Sequence, residues 1–78
     1  MSTTHHSEFV DALSNLTTSH RAAAAARDIL ESTSAAGHLP LRAAGARRVA
    51  LERLTEVVGV LDAIEAELRI AIGTIEQQ

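Results

Sequence analysis

The sequence predicts an all-α fold: a two-helix antiparallel hairpin that completes a four-helix bundle by oligomerisation or by docking on a partner. Three observations carry this expectation. Apolar residues recur at helical spacing over two long stretches. A single short connection, Ala36-Gly37-His38-Leu39-Pro40, separates them. The composition, 46% hydrophobic with Phe9 as the one aromatic residue, is that of helices packed at close range.

The first helix is expected over residues 7–36, after a flexible N-terminal stretch, residues 1–6. Thr4 or Ser7 can cap it, and Glu8 and Asp11 set negative charge near its N-terminus, where the helix dipole favours it. Phe9, Ala12, Leu13, Leu16, Ala23 and Leu30 fall at spacings of three and four and form one stripe. His20 and Arg27 lie on that stripe. The Ser32-Thr33-Ser34 cluster is a poor helix interior, so fraying is expected there.

The connection is placed at residues 37–39. Gly37 can adopt the left-handed conformation that closes a helix, and Pro40 suits the first turn of the next. A link this short makes the two helices antiparallel neighbours.

The second helix is expected over residues 40–76. Leu51, Leu54, Val58, Leu61, Leu68, Ile72 and Ile75 keep a three-four spacing interrupted at Glu65. A second seam, Val57, Leu61, Ile64, Leu68, Ala71 and Ile75, runs beside it, with Val60 and Ile70 outside both. Two adjoining seams make a stripe wider than a two-stranded coiled coil needs. Two rods share one line of contact, so some of this apolar surface is expected to meet another chain. The expected interface is Leu51, Leu54, Val57, Val58, Leu61, Ile64, Leu68, Ile72 and Ile75, with Phe9, Leu13 and Leu16 from the first helix. The partner is a second copy, giving a dimer, or a different protein.

Charge divides by halves. Residues 20–53 hold six arginines against three carboxylates, a net of +3, and the rest hold one arginine against seven carboxylates, a net of −6. Folding back near Gly37 gives the hairpin a basic tip and an acidic open end. Arg42, Arg47, Arg48 and Arg53 form a modest basic patch there. Nucleic-acid binding would use it for phosphate contacts, which makes a nucleic-acid-associated regulator the second reading. A chain net charge of −3 and the absence of stacking aromatics argue against that reading.

Other candidate sites are weak. His5 and His6 are adjacent, so on a helix they point about 100° apart and cannot chelate one ion together. His20, Arg27 and Glu31 lie along one side of the first helix, where they would form either a buried polar layer or a rim. The rim is expected, with Ala23, Ala26 and Leu30 turned inward. A small all-helical enzyme with a site between helices is the third reading. Glycine-rich phosphate loop, serine elbow, cysteine nucleophile and Glu-x-x-His pair are all missing. No catalytic, cofactor-binding or metal-ligating residue is therefore assigned. The outline resembles, in shape alone, the helical-hairpin proteins exported by specialised bacterial secretion systems. Those carry a Trp-x-Gly turn, where this chain has Gly37-His38-Leu39-Pro40. The polar N-terminus lacks a signal-peptide core, so a cytoplasmic location is expected, with export by another route left open and no membrane span.

Overall fold

The computed structural model describes residues 2–33 and 38–77 and consists of two helices, α1 (Ser2–Thr33) and α2 (Leu41–Glu76), packed against each other as a hairpin. The expected turn residue Gly37 lies outside the described residues.

Helix α1 begins five residues before the start expected from its capping residues. Within this added turn His6 joins the inter-helix contact: it is half-buried, and its Nε2 lies 3.0 Å from a Glu76 carboxylate oxygen on α2. This early start leaves the first turn without an acidic residue, so Glu8 and Asp11 sit deeper in the helix than a dipole role requires. Ser34 lies outside the described residues, and the described part of the helix runs to Thr33. There the Ser32 hydroxyl donates to the Ile29 carbonyl (3.0 Å), satisfying an acceptor near the helix end.

Helix α2 follows Pro40, whose extended backbone (φ −54°, ψ 147°) turns the chain into the helix. Its carbonyl accepts the first helical bond, from the Ala44 N–H (2.9 Å). Pro40 thus occupies the capping position and offers no side-chain cap. Arg47 joins the tip together: its Nε–H donates to the Leu30 carbonyl (2.8 Å), near the C-terminal end of α1. A cation bonded to a late carbonyl is what a helix C-terminus favours.

The molecule is a rod of 58 × 15 × 14 Å with a radius of gyration of 17.6 Å. A compact chain of this length would have a radius of about 11.5 Å. The contact between the helices runs along one seam. On α1 it takes the half-buried residues His6, Phe9, Leu13, Leu16, His20, Ala23, Arg27 and Leu30. On α2 it takes Ala44, Arg47, Leu51, Leu54, Val58, Leu61, Glu65, Leu68, Ile72 and Ile75. Both sets alternate steps of three and four without a break, the heptad pattern of paired helices. Among the described residues, no apolar side chain is fully buried and Glu65 alone is. No helix of the described residues is long and apolar enough to cross a membrane.

Candidate functional site

Glu65 does not interrupt the α2 seam; it occupies one of its positions. It is 3% exposed, the least exposed of the described residues, because His20 comes across from the equivalent position of α1. The His20 Nδ1–H donates to Glu65 Oε2 at 2.8 Å. This bond is the chief reason the Glu65 carboxyl is held below its ordinary value; burial pushes the other way, and the Thr17 hydroxyl and Arg69 add to the lowering. A hydrogen-bonded partner is what permits a carboxylate at a seam position, since burial of an unpaired charge is costly.

The rim expected for His20, Arg27 and Glu31 is therefore wrong for His20, which enters the seam. Arg27 is also half-buried on the seam, with its Nε 3.9 Å from Asp28 Oδ1, while Glu31 stays exposed. The buried layer pairs residues 45 apart in sequence, so no spacing within α1 could reveal it.

Asp62 lies one turn before Glu65, on the flank of the rod to which the pair opens. One ligand atom each from His20, Asp62 and Glu65 can be chosen so that all lie within 4.8 Å of one another. One imidazole nitrogen with two carboxylate oxygens is a donor set that a divalent cation such as zinc accepts. The neighbours at a zinc ion sit about 3.3 Å apart, so exposed Asp62 would have to swing inward to close the set. At the N-terminus, His5 and His6 go separate ways, His5 Nδ1 to Glu8 (3.8 Å) and His6 to Glu76.

Most residues expected at an interface between chains are instead used within the hairpin. Leu51, Leu54, Val58, Leu61, Leu68, Ile72 and Ile75 meet the α1 stripe containing Phe9, Leu13 and Leu16. Val57 (45% exposed) and Ile64 (39%) remain outside, and Val60 (58%) stands with them. These three belong to a second three-four series on α2: Ala46, Ala50, Arg53, Val57, Val60, Ile64, Glu67, Ala71 and Thr74. At 100° per residue this series lies about 110° round the helix from the first seam. On an antiparallel pair the corresponding positions of both helices fall on one side, so α1 turns Ala12, Ser19 and Ala26 to the same flank. The opposite flank carries Arg48, Thr55, Asp62 and Arg69, with exposed Leu41 and Val10 of α1 on the same side. The hairpin has an apolar flank and a polar one.

The arginines of the tip do not share one face. Arg47 is half-buried and bonded to Leu30, while exposed Arg42, Arg48 and Arg53 occupy three different columns of α2. A shallow groove lined by Arg48, Leu51, Glu52, Thr55 and Glu56 holds as many carboxylates as a phosphate would have to avoid.

Comparison with protein-family models, with curated proteins and with solved structures finds no match for the chain.

Proposed function

We propose that this chain is a helical assembly module, whose task is to pack the apolar flank of α2 against further helices and so complete a four-helix bundle. One observation carries the reading. The hairpin exposes 5782 Å², whereas a compact protein of its mass exposes about 4,600 Å². The excess, roughly 1,200 Å², is of the size that a partner in a stable complex covers, about 800 Å² per side. Two seams about 110° apart on one helix also suit a bundle, in which each helix touches two neighbours.

Phosphate binding by the tip is a poorer account, because its most central arginine is already bonded to α1 and the others diverge. No catalytic role is assigned to the His20–Glu65 pair; within this reading it holds the two helices in one register.

Sedimentation equilibrium of the isolated chain tests the reading. A multiple of the 8.3 kDa chain mass at micromolar concentration is expected. A cooperatively folding monomer would refute it, since the apolar flank would then need no cover.

A further inference from the structure

We infer that the occupant of the apolar flank is a second copy of this chain, with its α2 antiparallel to the first and a two-fold axis passing beside Val60. The inference rests on the assembly reading above and names its partner.

The inference follows from the symmetry of the second series, exposed except at half-buried Ala50 and Ala71. An isologous contact requires that each residue on one side of the axis meet its complement from the other side. Counting outward from Val60, Val57 faces Ile64, Ala50 faces Ala71, and Arg53 faces Glu67. The last two residues stand seven positions from Val60 on either side. At 1.5 Å per residue, that is about 10.5 Å along the helix in each direction. Two antiparallel copies therefore bring Arg53 of each beside Glu67 of the other, while apolar side chains meet between them. A parallel pair would set Arg53 on Arg53 and Glu67 on Glu67, which like-charge repulsion opposes.

Three further facts fit. Arg53 and Glu67 are exposed and have no ion pair among the described residues, so both are available. Val60 lies within two residues of the midpoint of α2 (Leu41–Glu76), so nearly the whole helix overlaps its copy. The basic tip of one hairpin then lies beside the acidic open end of the other. A different protein as the occupant would give no reason for the series to be complementary to its own reverse.

The test is a charge exchange at equal concentrations, read as mass by sedimentation. Arg53→Glu alone and Glu67→Arg alone should each weaken association at least tenfold at low salt. The double variant Arg53→Glu/Glu67→Arg should recover most of it. Mixing the two single variants should produce a heterodimer, because each then supplies the charge that the other lacks. Retained helicity by circular dichroism separates loss of association from unfolding. If the wild-type chain associates but the exchanges leave its mass unchanged, the antiparallel contact is overturned while the assembly reading stands. If the wild-type chain is a monomer at every concentration, both fall.

Discussion

Replacing Val60 with aspartate places a charge where, in the proposed dimer, the two copies of α2 come closest. In the hairpin alone Val60 is 58% exposed, so the change costs the isolated chain little. In the proposed dimer the remaining valine surface would be covered. Full burial of such a side chain contributes about 1.5–3 kcal/mol, so the uncovered share is about 1 kcal/mol per copy. Near a two-fold axis the loss is counted twice, about 2 kcal/mol. The two introduced carboxylates also face each other. At about 6 Å and an effective dielectric constant of about 20 their repulsion is roughly 3 kcal/mol. Together these weaken the dimer by about 5 kcal/mol, which is between three and four powers of ten in Kd. The assay is sedimentation velocity from 1 to 200 µM, about the range in which a micromolar dimer would dissociate, with circular dichroism on the same samples. Ile70→Asp is the control, because Ile70 is as exposed (63%) but points about 80° away from Val60 round the helix. The reasoning is refuted if Val60→Asp sediments as wild type, or if Ile70→Asp dissociates the assembly equally.

Two other outcomes follow from the hairpin itself. Gly59 lies in the interior of α2 with open space where a Cβ would stand, on the side away from the apolar flank; Gly59→Ala should stabilise by about 1 kcal/mol, seen as a melting temperature about 4–8 °C higher with the assembly mass unchanged. The Glu65 carboxyl is held low in the folded chain, so its contribution is complete above its ordinary value of 4.5 and is lost as pH falls from there through the lowered folded value; melting in EDTA from pH 7 to pH 3 should show a steeper loss for wild type than for Glu65→Gln, and parallel curves would show that the bond to His20 does not stabilise the fold.

The hairpin was legible because its signals are local. Heptad spacing marks a helix wherever it occurs, and a glycine followed three residues later by a proline marks a break in it. The helix start was less legible: Ser7 and Thr4 read as caps, and the contact of His6 with Glu76 across 70 residues leaves no local signal. Glu65 is the instructive case. Its position in the heptad was readable, yet a charged residue at such a position is ordinarily an interruption. What makes it a member of the seam is His20, and only the antiparallel register brings the two together. The second seam was misdrawn for a related reason. Leu61, Leu68 and Ile75 fit two series equally well on one helix. Packing against α1 assigns them to the first, and this leaves Val57 and Ile64 to join Val60, which had fitted neither.

The two flanks also bear on how assembly stops. A rod that is adhesive on both flanks would bind a neighbour on each and grow into an open array. This one has its run of valine and isoleucine on a single flank, while the middle of the other carries Arg48, Asp62, Arg69 and the edge of the His20–Glu65 pair, with Leu41 and Val10 towards its ends. Covering the apolar flank with a copy of itself uses up that surface on both partners at once, because the two-fold axis makes them the same surface. The polar flanks are left pointing outward, where charges remain solvated at little cost. Of the remaining exposed apolar residues, Ile29 holds on α1 the position that Val60 holds on α2 and so lies on the apolar flank, while Val49 and Ile70 stand singly on the outer side of α2. On the proposal above, one self-complementary seam would yield a closed dimer of two hairpins, four helices in all.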